Sequence, residues 1–425
     1  MTKPGFFSLI FVFVVSLTFL SRFANAQSDP TDWARWRGPT GNGIAAKSET
    51  PPTRWSETEN VIWKSKVPGK GHASPIIVDD RIFLATSDTL QQTQSVLCYD
   101  RQTGKQKWNT EINRGGLPAR IHQKNTHASP TIATDRKHVF AVFLNNNEVS
   151  VTALNLDGKK VWQKKVGDYN AHFPFGFGAS PIVYNGMVIV TNEGRVDAAV
   201  IAYDAATGEQ KYRIDRGPIS SYSTPVVANV GGKEQLFLAG GRTVKSYDPN
   251  SGKENWSAPA TWDVCCGTMV WDTTSGKDIV FISGGFPSRE TIALDASNGQ
   301  ILWTKPVKSY EQSLLAVDGY VYAHTDRGQL MCWNAKDGAE MWVTKFSNRK
   351  RLPVSVSPTL AGGNIYFTAE NGETVVAELN PKAFNEVARN QLGKSAFASP
   401  AFCGNRIYTR VGERSQEWLY CLGKE

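Results

Sequence analysis

Leu97-Cys98-Tyr99-Asp100-Arg101-Gln102-Thr103-Gly104-Lys105-Gln106-Lys107-Trp108 is the stretch on which the fold turns, because the chain repeats it. Ile201-Ala202-Tyr203-Asp204 leads to Thr207-Gly208 and Tyr212, and Tyr247-Asp248 to Ser251-Gly252 and Trp256. Ala293-Leu294-Asp295 leads to Asn298-Gly299 and Trp303, and Cys332-Trp333-Asn334 to Asp337-Gly338 and Trp342. Ala153-Leu154-Asn155 reaches Asp157-Gly158 and Trp162 through a shorter turn. Apolar residues at period two form a strand. Asp or Asn followed by Gly turns the chain, since Asp and Asn bond local backbone and Gly accepts positive φ. Each copy is therefore a β-hairpin whose second strand carries one large aromatic anchor.

A second signal precedes each hairpin. His72-Ala73-Ser74-Pro75 opens the run Ile76-Ile77-Val78, and His127-Ala128-Ser129-Pro130, Ala179-Ser180-Pro181, Ser223-Thr224-Pro225, Ser357-Pro358 and Ala398-Ser399-Pro400 open others. Gly267-Thr268-Met269 and Ser313-Leu314 are weaker copies. Proline at the first residue of a strand loses no ladder hydrogen bond. A short strand follows each entry, giving a four-stranded unit. The anchors fall at 63, 108, 162, 212, 256, 303 and 342, so the unit recurs every 39 to 54 residues, the signature of a propeller blade.

The ends set the blade count. The unit from Ser357 has a hairpin without the Gly or the Trp, and the unit from Ser399-Pro400 stops after Trp418-Leu419-Tyr420-Cys421-Leu422, one strand short. Asn60-Val61-Ile62-Trp63-Lys64 is a surplus strand at the other end. Placing it in the last unit predicts an all-β, eight-bladed β-propeller of four-stranded blades, closed by the N-terminal strand pairing with the last blade. The expected organisation is a signal peptide at 1–26, an N-terminal segment packed on the propeller at 27–59, and the propeller at 60–425.

Residues 1–26 carry Lys3, an apolar run from Phe6 to Leu20, and Ala24-Asn25-Ala26, the pattern of a cleaved export signal. The run is shorter than a membrane span. The reading is an exported protein, periplasmic or secreted, with no later membrane span. Without Lys3 and Arg22 the basic count falls from 47 to 45 against 39 acidic residues, a net charge of +6 with no Lys/Arg block, so no nucleic-acid partner is expected. Trp33-Ala34-Arg35-Trp36-Arg37-Gly38-Pro39 and Trp55 are too aromatic for a free linker and are expected to pack.

The hairpins, the Ser-Pro entries and the Trp33-to-Pro39 segment together resemble the PQQ-like β-propeller repeat proteins of bacteria, over roughly residues 33–422. The resemblance implies one of two branches. The quinoprotein alcohol dehydrogenases bind pyrroloquinoline quinone (PQQ) and Ca²⁺ on the propeller axis, often beside a disulfide of adjacent cysteines. The non-enzymatic scaffolds include BamB of the outer-membrane assembly machinery. The repeat itself is structural and does not choose between them. Cys265-Cys266 is the pair that would form such a vicinal disulfide. Cys98, Cys332 and Cys421 share one repeat position with Ala153, Ala202, Ser246 and Ala293, and Cys403 falls at that of Val78, so all four read as core.

The residue three before each entry Pro should begin the innermost strand at one mouth of the channel. That ring is His72, His127, Gly178, Tyr222, Cys266, Glu311, Ser355 and Phe397, a candidate ligand or cofactor ring. The longest inter-blade connections, 109–126 and 163–177, should emerge on the same face. They bring Arg114, Arg120, His122 and Lys124, and Tyr169, His172, Phe173, Phe175 and Phe177, either as a binding surface or as a plug over the mouth. The BamB-like, non-enzymatic reading is favoured: an exported, monomeric propeller without catalytic residues or cofactor, binding a protein or cell-envelope component through the mouth. The alternatives are a PQQ- and Ca²⁺-dependent oxidoreductase acting on alcohols or aldose sugars, and a sugar- or metal-binding module at the mouth.

Overall fold

The computed structural model describes residues 1, 31–171, 173–347 and 352–424; the expected signal peptide lies, beyond Met1, outside the described residues. The described residues form strands and no helix. Eight antiparallel four-stranded sheets follow one another around a ring. Blade one is typical, with an inner strand Ile76–Val78, then Arg81–Asp88, Thr93–Asp100 and the outer Gln106–Arg114. Blades two to seven repeat this order. Blade eight takes Ala401–Cys403, Arg406–Glu413 and Gln416–Leu422 from the C-terminus and its outer strand, Val61–Val67, from the N-terminus. Trp63 pairs with Cys421 and Lys66 with Trp418, so the ring is closed as expected.

The repeated motif holds neighbouring blades together. Asp100 Oδ1 accepts hydrogen bonds from the Thr103 N–H and hydroxyl, both at 2.8 Å, which fixes the hairpin turn. The aromatic anchor stands directly across from the small residue of the third strand: Trp108 from Cys98, Trp162 from Ala153, Trp256 from Ser246, Trp303 from Ala293, Trp342 from Cys332. That register explains the Ala, Ser or Cys there. Each anchor then reaches the turn of the next blade. The indole N–H of Trp63 donates to the Arg101 carbonyl at 3.2 Å, Trp108 to Leu156 at 3.0 Å, and Trp303 to Ala335 at 2.9 Å. The turn glycine makes room for the ring. A Cβ on Gly299, at φ +76°, would stand 2.5 Å from Trp256.

A second girdle runs around the axis at the blade entries. The backbone N–H of Ser74 donates to Thr131 Oγ1, that of Thr131 to Ser180 Oγ, and that of Ser180 to Thr224 Oγ1. Thr268 continues to Ser313, Ser313 to Ser357, and Ser357 to Ser399. This hydroxyl sits two residues before the inner strand in every blade. The prolines of the entry motif lie just outside the strands rather than at their first residue.

Within a blade the chain runs up, down, up and down. The turns after the first and third strands therefore lie on one face, and the second hairpin turn and the inter-blade connections on the other. Residues 31–59 cross the first face. Trp33 is 2% exposed and pairs with Ile77 of blade one, while Arg37 and Asn42 bond the Leu314 and Ala316 carbonyls of blade six. Glu49 accepts from the Gly404 N–H of blade eight. Burial pulls the Arg37 guanidinium down to about 9. The segment closes the channel from this side and sends Trp36 up the axis, its indole N–H bonded to Thr268 Oγ1 at 2.8 Å.

Candidate functional site

The opposite mouth holds a cavity of about 290 Å³. Trp36 lies against its lining, and the walls include His72, Gly178, Tyr222, Cys266, Glu311, Ser355 and Phe397, seven members of the expected ring. His127 does not line it. In blade two the girdle hydroxyl belongs to Thr131, and Pro130 precedes the inner strand Ala133–Thr134 by three residues instead of one. Counting from proline therefore misplaces the ring by two residues, and Ser129 stands there. The better sequence signal was the Ser or Thr two residues before the apolar run.

The two long connections fold inward. His122, Lys124 and Asn125 from the first and Phe175 from the second line the same cavity. Lys124 crosses it. Its Nζ lies 2.9 Å from Glu311 Oε2 and 2.8 Å from Glu370 Oε1, and the Ser355 hydroxyl lies 2.5 and 2.6 Å from the same two oxygens. Burial lowers the Lys124 pKa, but the two carboxylates outweigh it and hold the value above the ordinary one. His72 stacks on Phe397 at 4.1 Å. Burial, then the charge of Arg410, drives His72 down to about 3, so this imidazole is neutral.

The other loop residues divide. Phe173 stacks on Phe175 at 5.0 Å and meets Phe286 edge-on at 5.6 Å, forming an aromatic rim. Tyr169 is buried and bonds the Gly176 carbonyl at 2.9 Å, so it anchors the loop instead of presenting a surface. Arg114 pairs with Glu111 at the end of its strand, and Arg120 is exposed; neither lines the cavity. His172 lies outside the described residues. Phe286, Tyr310 and Glu370 come from hairpins and connections that carry no repeat signal, and the sequence did not single them out.

Cys265 and Cys266 are free thiols, not a disulfide. Burial pushes both far above the ordinary thiol range, so neither holds a reactive thiolate. The core cysteines behave alike, with Cys98 and Cys332 pushed up to about 12. Among the described residues no group of three or more His, Cys, Asp and Glu is placed to hold a metal ion, and no helix is long and apolar enough to cross a membrane.

This lining does not fit PQQ with Ca²⁺. Calcium takes six to eight oxygen ligands. The two axial carboxylates instead close on an ammonium, and the described lining residues include no arginine to face an anionic quinone.

The PQQ_2 family model, outer membrane protein assembly factor BamB, matches residues 53–172, 92–344 and 287–409. The outer membrane protein assembly factor BamB of Burkholderia pseudomallei (strain K96243) is 25% identical over 391 residues, 85% of this chain and 89% of that one. BamB from Moraxella catarrhalis superposes with a TM-score of 0.61 at 12% identity, over 85% of this chain and 99% of that one. Quinohemoprotein alcohol dehydrogenase from Comamonas testosteroni superposes with a TM-score of 0.68 at 15% identity, over 95% and 82%. The two superpositions speak for the fold alone, whereas the family model spans most of the sequence: the chain belongs to the PQQ_2 family of outer membrane protein assembly factor BamB.

Proposed function

We propose that this chain is an exported, non-catalytic propeller of the cell envelope that docks a protein partner on the cavity face. The observation that carries the reading is the fate of the two long connections. They close over the axial mouth, tie Lys124 to Glu311 and Glu370, and leave aromatic side chains on the outside. Phe286 is 47% exposed beside Phe173. Both line a groove of about 430 Å³ with Ile219 and Val264, flanked by the Arg242–Asp263 ion pair. Aromatic and arginine side chains in such a setting are the usual anchors of protein interfaces. The kinship with an outer membrane assembly factor over 85% of the chain supports a protein partner, and the leader-like residues 1–26 support export.

A photocrosslinking residue at Phe286, with a control at Lys336 on the opposite face, tests this in the native host. The expected outcome is an adduct with an outer-membrane assembly component from position 286 only. Adducts from 336 and none from 286 would sink the reading. Titration with PQQ and Ca²⁺ should give no stoichiometric uptake.

A further inference from the structure

Beside the axial cavity, where blade eight meets blade one, lies a second cavity of about 260 Å³. It shares His72, Asn125 and Phe397 with the first. Its charged lining is one-sided: Lys70, Arg410 and Arg414 against one carboxylate, Glu417. Arg410 is the decisive residue. It is 2% exposed, its Nε donates to Glu417 Oε2 at 2.5 Å, and its Nη1 donates to the Ala85 carbonyl at 2.7 Å. Its Nη2 is buried with no hydrogen-bond partner.

The placement follows from the ring closure. Arg410 stands on the second strand of blade eight and Glu417 on the third, while Arg414 and Ser415 form the hairpin tip between them. Lys70 lies on the step into blade one, held by a backbone pair with Ser87. Gly71 leaves space for the guanidinium, since a Cβ there would stand 2.6 Å from Arg410 Nη1. Ser395, Thr126 and Gln123 add neutral polar groups. The field is positive beyond the pocket wall, for Arg410 and Lys70 both disfavour a charge on His72.

We infer that this cavity between blades eight and one is a binding site for a small oxyanion, a phosphate, a sulfate or a carboxylate group, received by Arg410, Lys70 and Arg414. A buried donor without a partner is costly, so an acceptor supplied by a ligand is stabilised against it. Guanidinium geometry suits planar carboxylate and tetrahedral phosphate or sulfate alike. Glu417 is the competitor, because it already holds one edge of the guanidinium. The site is independent of the protein-docking reading and lies on the same face.

The test uses the full purified chain in chloride buffer at fixed ionic strength. Sodium phosphate, sodium sulfate and sodium acetate are titrated separately by calorimetry, with thermal unfolding in parallel. Saturable one-to-one binding of at least one of them, with a raised unfolding temperature, is expected. Phosphate or sulfate binding without acetate assigns a tetrahedral group; acetate binding assigns a carboxylate. Lys70→Gln combined with Arg414→Asn should weaken binding about tenfold or more, the worth of one charge-assisted hydrogen bond. Both side chains are exposed, and Asn tolerates the φ of +56° at 414, so this variant keeps the fold. Glu417→Gln should tighten binding several-fold. No saturable binding of any of the three anions, or unchanged affinity in the double variant, overturns the proposal.

Discussion

Replacing Lys124 by Met keeps the length of the side chain and removes the charge that spans the channel mouth. In the wild type the ammonium lies 2.9 and 2.8 Å from Glu311 and Glu370, with side chains 28%, 25% and 11% exposed. Breaking a fully buried ion pair costs about 3–5 kcal/mol, and an exposed pair is worth about 0–1 kcal/mol. This cluster lies between, so the loss at neutral pH is about 2–3 kcal/mol. The pH dependence is the sharper part. Two carboxylates left to share the Ser355 hydroxyl disfavour each other's charge, and one of them takes up a proton with a raised pKa. A carboxyl raised in the folded state gives stability that is present at low pH and lost as pH rises through its folded value. The variant should therefore lose most near pH 8 and recover part of the loss near pH 5. In the wild type the Lys124 pKa is itself raised, so its contribution is complete below the ordinary lysine value and lost only as pH rises through the folded one; it is flat between pH 5 and 8. Urea unfolding at both pH values reads the difference. Adding Glu370→Gln to the Met variant should remove most of its pH dependence. A loss below about 0.5 kcal/mol, the range of ordinary surface changes, or an equal loss at pH 5 and pH 8, refutes the reasoning.

Gly299→Ala and Gly232→Ala form a matched pair, since both glycines have positive φ, +76° and +78°, but only the first faces a ring, Trp256 at 2.5 Å. The left-handed backbone costs each about 1–2 kcal/mol, and overpacking adds about 1–3 kcal/mol at 299; equal losses in urea unfolding would remove the inter-blade role of the turn glycine. Deleting residues 60–66 takes away the strand that pairs with Gln416–Leu422 and leaves blade eight with three strands and that strand's edge unpaired. Aggregation or loss of the cooperative melting transition is expected by calorimetry and light scattering, and an unchanged melt would contradict ring closure.

Most of the architecture was legible because it is local and repeated. The hairpin motif encodes its own turn, its bulky anchor and the small residue opposite, so one reading applies six times. The entry ring was legible for the same reason, and it failed in blade two, where Pro130 is displaced from the girdle that Thr131 completes. Proline is permitted near a strand start but does not fix it. The hydroxyl marks it better, because in six of the eight blades it accepts a backbone N–H from the neighbouring blade. What the sequence could not display is contact across the ring. Lys124 and Glu311 are 187 residues apart; the repeat register puts Glu311 at the mouth, but Lys124 sits in a connection without a repeat signal, so nothing local announces that they meet. That one contact decides between a cation-binding mouth and a mouth whose cation is already built in. Tyr169, open in the sequence as binding surface or plug, makes a related point. A loop aromatic is as readily an anchor as a surface, and only its bond to Gly176 tells which.

The absence of the Gly and the Trp from the hairpin of blade seven has a positional explanation. Every anchor aromatic spends its polar tip on the third-to-fourth-strand turn of the following blade, as Trp342 does on the Asn380 carbonyl at 3.0 Å. Blade seven would have to reach that turn in blade eight, where the third strand comes from the C-terminus and the fourth from the N-terminus, so no turn joins them. A tryptophan there would have no carbonyl to meet. The pairing is accordingly inverted, with Val376 on the third strand opposite the small Ala388 on the fourth. The N-terminal segment supplies the missing attachment. Trp55 stacks on Tyr366 at 6.1 Å, Asn390 bonds both the Trp55 N–H and the Thr53 carbonyl, and Glu57 joins the Gly393 N–H of the seventh connection to Tyr420 of blade eight. Residues 31–59 thus perform two tasks with one path. They close the channel from below, and they bind blades seven and eight where the repeat cannot. The same closure frees blade eight from carrying a third-to-fourth-strand turn on that face, while its opposite end carries the Arg410 pocket.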